Sequence, residues 1–265
     1  FPTRRSSDLL MNKESVPYRA LCTEYYELDK PKAPEDALQC YLQYAEEAQG
    51  KILEPMCGTG RFLVPLLEKG YSVSGFDYSS HMLEVCRKKC IARGLKPTLS
   101  EATFENFSSQ EMYELIYIPS SSFCLLTDPK LAIQALKFVS NRLAPIGKFV
   151  FEVETIAAVT QSQDSWKGKW VNREDGSKIV LNTLSCFDKL SRIETVLCRY
   201  ELWEKNHIVQ TEVEDFRVKL YEPVEIEHLL AQENLKIIGR WQADPYIRTE
   251  ANNANPVIMY ECVKK

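Results

Sequence analysis

The chain has 265 residues, 45% of them hydrophobic and 26% charged, and a net charge of −4. That balance fits one large globular domain, or one domain with an insert, and leaves no basic footprint for nucleic acid. No apolar run approaches the ~20 residues that cross a bilayer, so no membrane partner is expected.

Residues 1–10, FPTRRSSDLL, read as foreign. They resemble the in-frame translation of a sequencing-library adapter, which makes Met11 the expected native start. They are set aside from the fold argument. Nine scattered cysteines form no CxxC pair. This pattern fits a reducing cytoplasm rather than a disulfide framework or a metal site. Cys86 and Cys90, four apart on one helix, read as small buried hydrophobes.

Leu38, Tyr41, Leu42 and Ala45 recur at helical spacing and predict an amphipathic helix over 33–48. Lys51 to Glu54 reads as a short buried strand, and 60–69 as a helix ending at Gly70. YSVSGFD, 71–77, is a second strand closing on an acid. Ser79 or Ser80 caps the next helix, 81–93, which stops at Gly94. A third strand is expected at 97–100, a fourth at 114–119, a helix at 128–143 and a fifth strand at 148–154. Strict alternation of this kind implies a parallel sheet covered on both faces.

The pattern then changes. From 166 to 221, alternating segments separated by EDGS and DKLS read as an antiparallel meander. A helix at 223–233 and two strands, LKIIGRWQ and PVIMYECV, close the chain. The expected fold is therefore α/β, a Rossmann-like, mostly parallel seven-stranded sheet with helices on both faces. An antiparallel β insert, 166–221, enters between strand 5 and its following helix. The expected organisation is one domain of 11–165 and 222–265, with the insert as a lid.

The chemistry gathers at strand ends. KILEPMCGTGRF, 51–62, is an apolar run, an acid and a turn with Gly58 and Gly60. A dinucleotide fingerprint needs a third glycine three places on, where this chain has Leu63. That argues against an NAD-dependent oxidoreductase. Asp77, seventeen residues after Gly60, ends the second strand, where an acid accepts hydrogen bonds from ribose hydroxyls. The small polar run IPSSSF, 118–123, follows the fourth strand.

ILEPMCGTGRF, GFDYSSHML, YELIYIPSSSF and LAPIGKFVFE, in that order and spacing, resemble class I S-adenosylmethionine-dependent methyltransferases. The resemblance runs from about Tyr18 to the C-terminus apart from the insert. The family's opening motif is acid-x-Gly-x-Gly-x-Gly, and Met56 stands here for its first glycine. The resemblance implies that Glu54 and the backbone of Cys57, Gly58, Thr59 and Gly60 hold the methionine part of S-adenosyl-L-methionine. Asp77 would bind the ribose, with Tyr78 and Met82 beside the adenine, although plain packing suits those two equally well. The backbone from Ala102 through Thr103 to Phe104 would face the adenine amino group, and Pro119 would border the site. Arg61 would meet the cofactor's carboxylate together with a tyrosine, either Tyr18 or Tyr26, of which Tyr26 fits better.

Methyl transfer needs placement more than a catalytic dyad, and no convincing dyad is present. Glu152 or Glu154, at the end of strand 5, and Ser122 are the candidates for a catalytic group; no histidine is favoured. Trp166 and Trp170 are expected to pack inside the insert rather than cover a substrate. The insert resembles the lid of amine- and sugar-modifying methyltransferases. The expected activity is therefore methyl transfer to a small-molecule nitrogen or oxygen nucleophile, by a monomer or homodimer. A non-catalytic cofactor-binding protein that uses the lid for protein partners is the alternative.

Overall fold

The computed structural model describes residues 18–159, 165–243, 246 and 248–265. The expected foreign leader and Met11 lie outside the described residues. Among the described residues there are eleven strands and six α-helices, and from α2 to β5 they follow the alternation expected from the sequence. A first helix that it did not suggest, α1 (Ala20–Asp29), precedes α2 (Glu35–Glu47). Then come β1 (Ile52–Pro55), α3 (Leu63–Glu68), β2 (Val73–Asp77), α4 (Ser80–Ala92), β3 (Thr98–Glu101), β4 (Tyr113–Ile118), α5 (Pro129–Arg142) and β5 (Leu143–Glu154). Four strands, β6 (Lys167–Asn172), β7 (Lys178–Asp188), β8 (Ile193–Glu204) and β9 (His207–Lys219), precede α6 (Pro223–Gln232). The last strands are β10 (Leu235–Gln242) and β11 (Val257–Lys264).

The main sheet has the order β10-β11-β5-β4-β1-β2-β3. Strands β1 to β5 pair in parallel, while β11 runs antiparallel to both β5 and β10. Both faces are covered. Ala132, Leu136 and Val139 of α5 and Ile226 and Leu230 of α6 pack with Leu53, Ile116, Phe149 and Phe151 on one face. Helices α2, α3 and α4 bury Tyr41, Leu63, Leu66 and Leu83 against Ile52, Leu115 and Val150 on the other. All four residues of β1 are buried, Glu54 among them, as expected of a strand covered on both faces.

Ser79 acts as the cap the sequence suggested. The Ser79 hydroxyl accepts from Met82 N at 3.2 Å at the start of α4. Asp128 caps α5, whose first residue is Pro129. Strand β5 starts five residues earlier than expected, because Leu143 pairs with Tyr113 directly after α5 and a register shift follows. All nine cysteines are free thiols; Cys86 and Cys90 are completely buried.

Strands β6 to β9 form a separate antiparallel sheet in sequence order. One face packs on α1: Leu21, Cys22 and Tyr25 meet Ile179, Leu181, Cys198, Tyr200 and Leu202. The tryptophan expectation is corrected here. Trp166 and Trp170 are 42% and 64% exposed, and Arg199 lies over the Trp166 ring at 5.1 Å. Along β6, Val171 turns towards α1, so its neighbour Trp170 projects from the opposite face.

Candidate functional site

The glycine turn after β1 is built on left-handed backbone. Met56, Gly58 and Gly60 have φ of 58°, 52° and 75°. Met56 thus keeps the conformation that a glycine would take, a cost of about 1–2 kcal/mol for a residue with a Cβ. A Cβ on Gly58 would meet nothing within 4 Å, so this glycine opens directly onto free space. Gly60 serves packing instead: a Cβ there would lie 2.5 Å from Cys86 Sγ. It is what lets α4 sit close to the turn.

Asp77, at the end of β2, stabilises this loop. One carboxylate oxygen accepts from Gly58 N and the other from Ser79 N, both at 2.9 Å. A carboxylate accepts about four hydrogen bonds, so Asp77 retains capacity beyond its backbone amides. Burial raises the Asp77 pKa, and the amides of Ser79 and Gly58 oppose the rise. Glu54, at the end of β1, is 2% exposed and accepts from the Tyr117 hydroxyl at 2.6 Å. Burial pushes its pKa up to about 8, with Tyr117 and then Arg61 pulling the other way.

These acids lie on the wall of a cleft with about 540 Å³ of open space, its mouth included. Tyr26, Glu54, Cys57, Gly58, Thr59, Arg61, Asp77, Tyr78, Met82, Pro119 and Ser122, all singled out from the sequence, line it. Tyr18, the alternative to Tyr26, lines it as well. Arg61 stands over the Tyr26 ring at 5.2 Å and donates to Ser120 Oγ at 3.0 Å.

Six of the candidates, Gly60, Ala102, Thr103, Phe104, Glu152 and Glu154, are not on this wall. Gly60 is absent from the wall for the packing reason above. Thr103 is held in a turn, where its amide donates to Asn106 Oδ1 at 2.7 Å. Phe104 is drawn into an aromatic cluster, 5.1 Å from Phe76 and 5.7 Å from Phe138. Glu154 is separated from the cleft by the 3-10 turn Ser122–Leu125. In that turn Ser122 and Leu125 line the cleft, while Cys124 Sγ accepts from Glu154 N at 3.2 Å. Burial, and then Glu194, raises the Glu154 pKa.

Ser122 donates its hydroxyl to Pro119 O at 3.0 Å, which leaves it an acceptor rather than a nucleophile. Glu152 is fully committed to structure. Its two oxygens accept the hydroxyls of Tyr41 at 2.5 Å and Tyr246 at 2.7 Å.

Comparison with known proteins agrees with this geometry. A family model described as a methyltransferase domain matches residues 52–147, the segment that carries the glycine turn, Asp77 and Pro119. An S-adenosylmethionine-dependent methyltransferase from Clostridium acetobutylicum ATCC 824 shares the fold. Its TM-score is 0.75 at 18% identity, covering 91% of this chain and 96% of that one. Over residues 52–147 the chain is similar to the methyltransferase-domain family, the class its motifs resemble.

The resemblance read from the motifs to S-adenosylmethionine-dependent enzymes of that class therefore holds. The sugar N-methyltransferase KedS8 from Streptoalloteichus sp ATCC 53650 has a TM-score of 0.72 at 13% identity, covering 96% of this chain and 98% of its own. YqeM of Bacillus subtilis (strain 168), provisionally named a methyltransferase, is 28% identical over 138 residues, 52% of this chain and 56% of its own. The chain spans about half the length of the curated relatives it matches.

The cofactor of this class is S-adenosylmethionine, and the methyltransferase domain fits it on two observations. The Thr59 hydroxyl is buried on the cleft wall without a hydrogen-bond partner among the described residues, a state that is costly unless a ligand completes it. The open face of Gly58 admits a ligand to the backbone.

The motif reading missed Phe62 and Leu125 on the wall, which carried no signal of their own. Ser120, in the polar run IPSSSF, lines it with Ser122. Met56, marked in the sequence as an irregularity, is itself on the wall.

Proposed function

We propose that this protein holds S-adenosylmethionine in the cleft and transfers its methyl group to a nitrogen or oxygen of a small molecule by in-line displacement. The observation that carries the reading is the convergence of Glu54, Asp77 and the unpaired Thr59 hydroxyl on one cleft at the carboxyl ends of parallel strands. When bound, the cofactor supplies a methyl group already electrophilic on its sulfonium.

In this reading Asp77 offers its remaining lone pairs to the ribose hydroxyls, and Glu54 faces the cationic methionine end. Arg61 and Tyr26 take the carboxylate, with Tyr78 and Met82 flanking the base. Their common work is to fix orientation and exclude water, which sets the near-attack geometry. The sugar N-methyltransferase KedS8, alike in fold across nearly the whole chain, supports a small amine or hydroxyl acceptor reaching the cleft beneath the second sheet. The free thiols suit a reducing cytoplasm.

A thermal-shift titration with S-adenosylmethionine and with NAD tests the cofactor. Stabilisation by NAD alone would overturn the reading. A radiolabelled methyl screen over amines, phenols and sugars then tests transfer. Binding without transfer to any acceptor points to the non-catalytic alternative.

A further inference from the structure

Helix α1 carries Tyr26 to the cleft, yet it has no N-terminal cap of its own, because Arg19 at the N-cap position supplies no side-chain hydrogen bond. Its orphan amides are satisfied from β9, nearly two hundred residues away in sequence. Tyr18 N and Arg19 N each donate 2.9 Å to a different oxygen of Glu214. Leu21 N donates 2.9 Å to Glu212 Oε2, and Cys22 N 3.4 Å to the same atom. The Glu214 side chain is only 1% exposed.

Tyr18 continues the connection. Its carbonyl accepts the Ser79 hydroxyl at 2.8 Å, and Ser79 N donates to Asp77, which in turn holds Gly58 N. Its ring lines the cleft, edge-on to Phe216 of β9 at 5.5 Å and 6.4 Å from Tyr78. One chain of hydrogen bonds therefore runs from a buried lid carboxylate, through Tyr18, to the proposed ribose acid and the glycine turn.

We infer that Glu214 is a positioning residue for the cofactor. Through Tyr18 the second sheet fixes one wall of the cofactor cleft, so the lid governs cofactor retention and not acceptor choice alone. This rests on the methyltransferase reading above. The physical basis is that a buried carboxylate accepting two backbone amides makes the strong class of hydrogen bond, and nothing local replaces it.

The deciding variant is Glu214→Gln, which keeps the shape but leaves one oxygen and an amino group where two acceptors stood. The probe is S-adenosylhomocysteine, with Kd from isothermal titration, alongside hydrogen exchange at the Tyr18 and Arg19 amides, which Glu214 holds. E214Q is expected to weaken binding by about tenfold, which corresponds to about 1.4 kcal/mol. It should also abolish cofactor-induced protection of those amides. Asp215→Asn, at an exposed position on the other side of β9, should bind as wild type does. Ser79→Ala should weaken binding too, and the E214Q/S79A double variant should lose less than the product of the two single effects, because both act through Tyr18. A merely structural role predicts multiplicative losses and amide protection indifferent to cofactor.

Unchanged Kd in a folded E214Q overturns the inference while leaving the proposed function intact. If wild type binds neither S-adenosylmethionine nor S-adenosylhomocysteine, the proposed function itself fails. Loss of fold in E214Q, read by circular dichroism, would also overturn it by making Glu214 a general stability residue.

Discussion

Replacing Glu54 by Gln probes the electrostatics at the base of the cleft. Glu54 is buried, accepts one hydroxyl from Tyr117, and has a pKa lifted by burial from 4.5 to about 8. A lift of that size removes on the order of 5 kcal/mol of preference for the charged form. The unfolded chain ionises this carboxyl at its ordinary value, so over the intervening range the folded protein is the state that holds the extra proton. Stability from this group is therefore fully present below about pH 4.5, declines as pH rises, and levels off above about pH 8.

Glutamine keeps the shape and does not titrate. E54Q is expected to match wild type within about 1 kcal/mol near pH 5 and to exceed it by roughly 3 kcal/mol near pH 9, allowing for relaxation around the charge. Urea unfolding followed by tryptophan fluorescence, at steps across that range, measures the gap. A gap that stays constant from acid to alkaline pH would refute the reasoning.

Tyr117→Phe should act in the opposite sense. It removes the one hydroxyl donated to Glu54 and so costs about 1–3 kcal/mol near pH 9 and less near pH 5, by the same unfolding series. Glu152→Ala strands the hydroxyls of Tyr41 and Tyr246, and a loss of about 3 kcal/mol in denaturant midpoint analysis is expected; a loss under about 1 kcal/mol would contradict its structural assignment. Gly60→Ala combines left-handed backbone with an overlap on Cys86 and should destabilise by about 3 kcal/mol, falling to about 1 kcal/mol in a Cys86→Ala background. Asp77→Asn cannot accept both loop amides and two ribose hydroxyls, so S-adenosylhomocysteine should bind at least about tenfold more weakly in titration calorimetry.

The central strands and their helices were legible because each announces itself locally. Buried parallel strands read as short, mainly apolar segments, and Ser79, Gly70 and Gly94 punctuate the helices. The cleft was legible where residues belong to a motif, as Glu54 and Asp77 do. It was illegible where position depends on the fold. Phe104 adjoins the right strand end, yet it packs with Phe76 and Phe138 against the core instead. Glu154 and Ser122 looked equally available, and a single 3-10 turn puts one behind the wall and one on it. Helix α1 was missed because its apolar residues face a sheet formed far downstream and its caps lie on that sheet. Trp166 and Trp170 show the converse, since hydrophobicity alone does not say which face of a two-sided sheet a residue takes.

The capping of α1 by β9 also sets an order of events during synthesis. Strands β1 to β5 are complete once residue 154 has emerged, and they can begin to assemble as a unit. The segment around Tyr18 is translated before those strands, yet its partner Glu214 leaves the ribosome only after them. Closing a loop of that length delays the contact. The cleft is thus open on one side until β9 is made, and a segment made before β1 is fixed only after β5.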